Sequence, residues 1–172
     1  MTDARMECDI TVRPATEADL EAIRAIYNAE VLASTATFDE EPRDPEAQRR
    51  WLEAHADPYA ALVAVADGAV LGWGSLSPFG SRPAYRFTVE NSVYVQADAR
   101  GRGVGTVLLR ELLRVGRERG FRTVVARITA ENGPSIRLHQ RCGFVLVGVE
   151  REVGYKFGRW LDVVVMQRRL AE

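Results

Sequence analysis

The sequence predicts an α/β (α+β) domain with a mixed, mostly antiparallel central sheet and helices on both of its faces. The first observation is the order of the predicted elements, β-α-α-β-β-β-α-β-α-β-β, because strands interleaved with helices form a sheet that is covered on both sides. The second is Asp67-Gly68, a strong hairpin signal between two apolar strands. The third is the length of 172 residues, which suits one domain with a proper core. We therefore expect one domain over 10–172, preceded by a flexible N-terminus over 1–9.

The first half of the chain is predicted to form a strand, two helices and a hairpin. Thr16 and Asp19 resemble a capping box, with aspartate in the place of the usual glutamate, and the helix that they open runs to about Leu32. One face of this helix carries the apolar residues Leu20, Ile23, Tyr27 and Val31. The other bounds predicted here are a strand at 10–13, a loop at 34–39, a helix at 46–55 and hairpin strands at 60–66 and 69–76.

The second half is predicted to alternate strands with helices. A strand over 87–95 leads into a glycine-rich loop and a helix over 104–119, for which Gly120 is well placed as the C-terminal cap. Apolar residues recur along this helix at spacings of four, four and three: Val104, Leu108, Leu112 and Val115. The remaining elements are predicted as a strand at 123–128, a helix with Pro134 in its first turn and Gly143 at its end, and paired strands at 144–149 and 161–168.

Composition and charge argue against several classes of function. The chain has 23 basic and 24 acidic residues, a formal net charge of −1, so no global field favours nucleic acid. Cys8 and Cys142 have no metal-ligand spacing and indicate reduced thiols, so we expect no metal. No apolar run approaches the roughly 20 residues of a membrane span, and the polar segment 1–9 has no signal-sequence pattern. We therefore expect a cytoplasmic protein without nucleic-acid or membrane partners.

The stretch 93–106 joins a strand to a helix and contains three glycines: Gly101, Gly103 and Gly105. At such a junction the free N–H groups and the dipole of the helix favour an anion, and glycine lets the backbone approach it closely. Arg100 and Arg102 add positive charge at the same place. The stretch therefore predicts a phosphate site, with a glycine-rich turn that binds no ligand as the alternative.

Two common phosphate-binding motifs do not fit this stretch. A Walker loop ends in Gly-Lys-Ser/Thr, whereas here Gly105 is followed directly by Thr106. A Rossmann fingerprint requires an acidic residue about twenty positions further on, after the next strand. The strand at 123–128 carries Arg127 near its end instead.

A third motif, Arg/Gln-x-x-Gly-x-Gly/Ala, fits every position of Arg100-Gly-Arg-Gly103-Val-Gly105. It resembles motif A of the GCN5-related N-acetyltransferases (GNAT), whose loop holds the pyrophosphate of acetyl-CoA. The family's next block is matched by Asn132-x-x-Ser135-x-x-x-His139-x-x-x-Gly143-Phe144, with histidine where tyrosine is usual. The histidine at this position resembles the subfamily that acetylates phosphinothricin, methionine sulfoximine and methionine sulfone. The sequences of the same subfamily are also similar to this one at 88–95, at Thr37-Phe38 and at 153–162.

The resemblance implies the GNAT fold, acetyl-CoA as cosubstrate, a small amino-acid-like acceptor and a homodimer. Backbone N–H groups over 93–95 are implied as partners of the pantetheine arm and of the oxyanion that develops on the thioester. The residues implied for acetyl-CoA binding are Val93, Tyr94, Val95, Arg100, Gly101, Arg102, Gly103, Val104, Gly105, Thr106, Asn132 and Ser135.

Acetyl transfer to an amine requires a base, because such amines are protonated at neutral pH. Glu90 is the best candidate, since it lies on the strand before the glycine loop and a carboxylate takes a proton directly or through a water. The alternative is a surface carboxylate. His139 shares a helix face with Ser135, four residues away, and is a candidate to protonate the leaving sulfur or to act as a second base. The alternative is a structural histidine.

The acceptor is expected to carry an acidic group beside its amine. Arg82 and Arg86, with Tyr85 between them, precede Glu90, and an arginine fork suits a carboxylate or phosphinate. The alternative is that these arginines are only solvated. Phe38 resembles the aromatic wall of the subfamily's acceptor site, and Lys156 is a candidate site residue in a segment that is otherwise structural or interfacial.

We therefore expect an acetyl-CoA-dependent N-acetyltransferase that acts on the α-amine of a small amino-acid analogue by direct transfer in a ternary complex. One alternative is an acetyltransferase for another amine, such as a polyamine or a protein N-terminus. Arg82 and Arg86 argue against a polyamine, whose site would be lined by Asp and Glu. The other alternative is a non-catalytic sensor of acyl-CoA, against which Glu90 and His139 argue.

Overall fold

The fold is built on one seven-stranded sheet, and the computed structural model describes residues 9–170. The strands are β1 (Thr11–Pro14), β2 (Ala60–Ala66), β3 (Ala69–Pro78), β4 (Thr88–Val95), β5 (Thr123–Thr129), β6 (Val145–Lys156) and β7 (Arg159–Arg169). The helices are α1 (Leu20–Ala33), α2 (Pro45–Ala54), α3 (Val104–Glu118) and α4 (Gly133–Arg141). Of the predicted flexible segment, residues 1–8, which include Cys8, lie outside the described residues.

The sheet is mixed and mostly antiparallel, as the sequence predicts. Its strand order is β1-β2-β3-β4-β5-β7-β6. Among the described residues, β4 and β5 form the only parallel pair, since α3 connects them as a crossover helix. This pair lies at the centre of the sheet and carries the glycine-rich loop in its connection.

Helices cover both faces of the sheet, and the pattern on β2 shows how. Side chains alternate across a strand, so Leu62 belongs to the core beneath α3, whereas Val63 packs with Ile23 and Trp73 on the side of α1 and α2. The α3 layer includes Leu112, which is fully buried. The α4 helix packs against the same layer through Ile136 and Leu138. The predicted two-sided architecture is therefore confirmed.

The last two strands are longer than the sequence predicts. The bounds predicted at 144–149 and 161–168 are wrong, because β6 and β7 continue to a tight turn at Phe157-Gly158, where both residues have left-handed backbone conformations. The pairing register shifts twice along β6, between Leu146 and Gly148 and between Glu150 and Gly154. Each irregularity breaks the two-residue alternation that marks a strand, so the pattern does not show the full length.

The described residues contain no candidate metal site, since no three His, Cys, Asp or Glu side chains converge in 9–170. Cys142 is a buried free thiol, and burial raises its pKa. None of the helices in this part of the chain combines the length and the apolar content that a membrane crossing requires.

Candidate active site

A cavity of about 510 Å³ lies where β4 and β5 diverge. We call it the cleft. The β4 strand pairs with β3 along Val89–Val95 but with β5 only along Thr88–Glu90. Beyond Glu90, the edge of β4 that faces β5 therefore has no strand partner. The backbone N–H and C=O groups on this edge are available to hydrogen-bond a ligand. The walls of the cleft come from β4, β5, α4, the last two strands and the connection between α1 and α2.

The glycine-rich loop leads directly into the first turn of α3. Gly101 and Gly103 have φ angles of +75° and +85°, which favour glycine, and no atom lies within 4 Å of a Cβ built at either position. In the described residues the N–H groups of Val104 and Gly105 have no backbone partner, whereas those of Thr106 and Val107 donate to the carbonyl oxygen of Gly103 at 3.0 and 3.1 Å. The loop therefore presents an open surface with backbone donors, the arrangement that binds phosphate at helix starts.

The side chains around this loop are mainly structural. Arg100 donates from Nε to the carbonyl oxygen of Val95 at 3.3 Å and forms an ion pair with Glu30, so it ties the loop to β4 and α1. Val104 is buried in the core, and a Cβ on Gly105 would lie 3.1 Å from Leu138 of α4. Arg102 is exposed, whereas Gly105 and Thr106 are half-buried in the first turn of α3.

Glu90 lies at the fork of the two strands, and Arg127 contacts it. Glu90 pairs with Val125, and Arg127 is two residues further along β5, so both charged side chains share one face of the sheet. Arg127 donates from Nη1 to Glu90 Oε2 at 3.0 Å, and its Nε lies 3.7 Å from Glu150 Oε2. The Glu90 side chain is 32% exposed. A carboxylate that is held in place and open to the cleft suits proton transfer.

His139 is buried between α4 and β4, and both of its ring nitrogens have partners. Nδ1 lies 2.8 Å from the carbonyl oxygen of Ser135, which only accepts hydrogen bonds, so Nδ1 carries a hydrogen. Nε2 then accepts from Asn91 Nδ2 at 3.0 Å. Burial lowers the pKa of His139, which favours this neutral form. These contacts favour the structural alternative for His139.

The N-terminus of α4 places Asn132 and Ser135 at the cleft. Asn132 Oδ1 accepts a hydrogen bond from the Ser135 N–H at 3.2 Å and so caps the helix, with Pro134 in the first turn as predicted. Both residues line the cleft. The Asn-x-x-Ser spacing therefore has a local structural reason beside any contact with a ligand.

Phe38 forms one wall of the cleft and packs on β6. A Cβ on Gly154 would collide with the Phe38 ring, so only glycine lets the ring lie there. Lys156 is 2% exposed, and its Nζ donates to the carbonyl oxygens of Ser34 and Thr37 at 2.9 Å each. Lys156 does not line the cleft, so the predicted contact with an acceptor is not seen; its ammonium instead fixes the loop that carries Phe38.

Polar contacts fix the same loop from two other sides. Thr35 Oγ1 donates to Glu131 at 2.5 Å, and Arg159 donates two hydrogen bonds of 2.7 Å to the same carboxylate. The Arg159 guanidinium, followed by Thr35, lowers the pKa of Glu131 to about 2. Tyr94 OH donates to the carbonyl oxygen of Ala36 at 3.3 Å. The loop that carries Phe38 is therefore tied to β4, to β7 and to the segment just before α4.

The turn between β3 and β4 does not line the cleft. Arg86 lies over the Phe87 ring, with 4.6 Å between its guanidinium carbon and the ring centroid, and Tyr85 packs edge-on against Phe79 at 5.1 Å. Arg82 is exposed. The turn folds back on its own aromatic residues, so the predicted grip of an acceptor by Arg82, Tyr85 or Arg86 is not seen within one chain.

Sequence reasoning missed several polar residues of the cleft, among them Asn91, Arg127 and Glu150. Arg127 was noted only as a residue that breaks the Rossmann pattern. The sequence shows that Arg127 and Val125 lie on the same face of β5, because they are two residues apart. It does not show the register between β4 and β5, which brings Arg127 to Glu90. Glu150 lies between the two irregularities of β6, where alternation fails.

Comparison with known proteins agrees with this geometry. The family model described as "Acetyltransferase (GNAT) family" matches residues 23–144. The chain is 44% identical over 167 residues to a phosphinothricin N-acetyltransferase of Alcaligenes faecalis, which covers 95% of this chain and 84% of the relative. It is 44% identical over 162 residues to an L-methionine sulfoximine/L-methionine sulfone acetyltransferase of Pseudomonas paraeruginosa, which covers 93% of this chain and 94% of the relative.

A solved structure extends the agreement to the whole fold. A GNAT superfamily phosphinothricin acetyltransferase from Sinorhizobium meliloti, in complex with acetyl-CoA, superposes with a TM-score of 0.90 at 42% identity. The superposition covers 95% of this chain and 89% of that one. The diverging strands, the glycine-rich loop before α3 and these relatives lead to one assignment: the chain belongs to the GNAT family of acetyltransferases.

Proposed function

We propose that this protein is an acetyl-CoA-dependent N-acetyltransferase for the α-amine of a small amino-acid analogue of the phosphinothricin, methionine sulfoximine or methionine sulfone type. The names of its relatives support these acceptors. The observation that carries the proposal is the position of Glu90. Its carboxylate lies where β4 and β5 separate, so a base is available at the inner end of a cleft that is open to a ligand.

The residues of the cleft fit acetyl-CoA. The loop before α3 offers backbone donors for its pyrophosphate, and the unpaired edge of β4 over 91–95 offers strand-like hydrogen bonds to its pantetheine arm. Asn91 Oδ1 is buried and has no hydrogen-bond partner within 9–170, so a donor from a ligand would satisfy it. Asn132 and Ser135 form the facing wall.

The proposed reaction is direct transfer in a ternary complex. Glu90 takes a proton from the acceptor's ammonium, directly or through a water, and the freed amine attacks the thioester carbonyl. A C–N bond forms and the C–S bond breaks; the second proton that the nitrogen loses on becoming an amide passes through water to the departing sulfur, so CoA leaves as the thiol, and Glu90 releases its proton to solvent. Backbone N–H groups on the open edge of β4 stabilise the oxyanion. His139 acts by holding Asn91 and the α4 helix in place.

We also propose a homodimer. The last two strands expose a set of large apolar side chains on one hairpin: Val145, Leu146, Val147, Val149, Val153, Tyr155, Phe157 and Trp160. A set of exposed apolar side chains with this aromatic content is typical of an interface between subunits. The hairpin also ends the sheet, because β6 is an edge strand.

The proposed function is tested by mixing the purified protein with acetyl-CoA and each amino-acid analogue, and by following CoA release with a thiol reagent. We expect release that depends on the acceptor, and an acetylated α-amine by mass spectrometry. A polyamine and a short peptide with a free N-terminus serve as comparison acceptors. Turnover with those amines and none with the amino-acid analogues would overturn the proposed acceptor. Binding of acetyl-CoA without turnover of any amine would favour the sensor.

A further inference from the structure

The cleft contains one arginine that faces the proposed base. Arg127 is the only lysine or arginine among the described residues that line the cleft. It donates from Nη1 to Glu90 at 3.0 Å, and its guanidinium carbon lies 5.5 Å from the centroid of the Phe79 ring. Its side chain is nevertheless 37% exposed. Arg127 is therefore positioned by its neighbours and still reachable from the cleft.

Arg127 has hydrogen-bonding capacity left over. A guanidinium presents five N–H donors, and in the described part of the chain only Nη1 of Arg127 donates a hydrogen bond. The contact with Glu150, at 3.7 Å from Nε, is an ion pair without a hydrogen bond. The remaining donors suit an anion with two oxygens, because arginine binds carboxylates in a bidentate fork.

Glu90, Arg127 and Glu150 form a row of alternating charge along one wall of the cleft. An α-amino acid carries its positive ammonium and its negative carboxylate on one carbon. These two neighbouring charges are opposite in sign to those of Glu90 and Arg127. An ammonium beside Glu90 places the neighbouring carboxylate beside Arg127. The row is therefore complementary to a zwitterion.

We propose that Arg127 binds the α-carboxylate of the acceptor and thereby selects amino acids over plain amines. This inference rests on the proposed N-acetyltransferase function and assigns its acceptor specificity to one residue. The sequence predicted that Arg82 and Arg86 bind the acidic group of the acceptor. We assign this contact to Arg127 instead, because Arg82 and Arg86 lie outside the cleft. A polyamine is disfavoured, because its second ammonium would meet the positive charge of Arg127.

The test compares methionine sulfone with 3-(methylsulfonyl)propylamine, which has the same side chain and no carboxylate. The wild type is expected to favour the amino acid in kcat/KM by roughly 10- to 150-fold, the range of a charge-assisted hydrogen bond. Arg127→Ala is expected to remove this preference, mainly through the KM of methionine sulfone; the loss of its contact with Glu90 is expected to lower kcat for both acceptors by the same factor, which cancels in the ratio of the two kcat/KM values. Arg127→Lys restores part of the preference, because it keeps the charge without the fork.

A matched control is Arg122→Ala, which removes an exposed arginine just before β5 and keeps the wild-type preference. Calorimetric binding of acetyl-CoA shows that each variant is folded. A preference that survives Arg127→Ala, or an equal loss of kcat/KM for both acceptors, overturns this inference alone. A preference lost in Arg82→Ala or Arg86→Ala instead assigns the grip to the turn and overturns it too. Absence of turnover with every amine overturns the proposed function and this inference together.

Discussion

Glu90 is the residue on which the proposed chemistry depends most. Glu90→Gln keeps the size of the side chain and removes the group that accepts the proton, so we expect kcat to fall by roughly 10²-fold or more. The acidic limb of the pH–rate profile is expected to flatten at the same time, because the titrating base is gone. Steady-state kinetics from pH 6 to 9 with methionine sulfone measures both effects.

Glu150→Gln is the control for Glu90→Gln. It also removes one negative charge from the cleft, at the other carboxylate that contacts Arg127, but it leaves the proposed base in place. We expect this variant to change the KM of the acceptor more than kcat. Wild-type turnover of Glu90→Gln across the pH range would remove Glu90 from the mechanism.

Asp19 makes stability depend on pH. Its carboxylate accepts hydrogen bonds from Arg13, at 2.7 and 2.9 Å, and from the backbone N–H of Thr16 at 2.8 Å. Arg13, followed by the backbone of Thr16, lowers the pKa of Asp19 from 3.8 to about 2, although burial opposes the shift. A lowered folded-state pKa stabilises the protein above the unfolded-state pKa, and this stabilisation is lost as the pH falls towards the folded-state value.

Asp19→Asn is therefore expected to reduce the free energy of unfolding by about 1–2 kcal/mol at pH 7, a value discounted because Arg13 is partly exposed. The difference from the wild type should fall to about half by pH 3 and nearly vanish by pH 2, as measured by urea titration. Glu17→Gln, an exposed carboxylate in the same turn, is the control and should show no such trend. A difference that stays constant between pH 7 and pH 3 would contradict the assignment.

The glycine-rich loop shows how an element's backbone conformation serves binding. Gly103→Glu places a side chain and a negative charge where phosphate is expected, so acetyl-CoA binding should be lost. Gly68→Glu in the β2–β3 hairpin is a matched control, because Gly68 also has a left-handed φ, of +77°, and no atom within 4 Å of a Cβ. Both variants should lose about 1–2 kcal/mol of stability. Calorimetry that shows normal binding by folded Gly103→Glu would contradict the loop assignment.

Gly154 of β6 determines where the Phe38 ring lies in the cleft. Gly154→Ala forces the Phe38 ring to move, at an overpacking cost of about 1–3 kcal/mol, so the KM of the acceptor should rise by roughly 10-fold while acetyl-CoA binds normally. Gly148→Ala on the same strand is the control, because nothing lies within 4 Å of its Cβ. An unchanged acceptor KM in Gly154→Ala would show that Phe38 does not contact the acceptor.

At the level of elements, local patterns predicted the fold well and tertiary register poorly. The hairpin at Asp67-Gly68 and the helix from Val104 are readable because turn chemistry and a helical period are local. The full length of β6 and β7 was not readable, because two irregularities hide the alternation.

The same limit applies to the candidate site. Glu90 and the glycine loop could be proposed from the sequence alone, because the strand and the loop that carry them are adjacent in the chain. Arg127 could not be, because its contact with Glu90 is made between two strands that are separated in sequence by the whole of α3. The position of Lys156 was not readable either, because its burial depends on how β6 packs against the loop that begins at Ser34.

At the scale of the whole molecule, the exposed hairpin predicts assembly. Trp160 is 62% exposed and stacks edge-on with Tyr155 at 4.9 Å, near the end of the apolar set. We expect light scattering at micromolar concentration to give the mass of a dimer, and Trp160→Glu to weaken or abolish it, since aromatic residues at interface centres carry much of the binding energy. Leu32→Glu changes an equally exposed apolar residue on α1 and should leave the dimer intact. A monomeric wild type would contradict the proposal.

The divergence of β4 and β5 opens the sheet at its centre and leaves a gap that the proposed cosubstrate fills as a substitute strand. A ligand that binds only the folded chain raises the free energy of unfolding, by about 2.7 kcal/mol when its free concentration is a hundred times the Kd. At that concentration the fraction of chains that are unfolded, and so open to proteases, falls by about 100-fold. We therefore expect the resistance of the purified protein to proteolysis to rise with the concentration of acetyl-CoA.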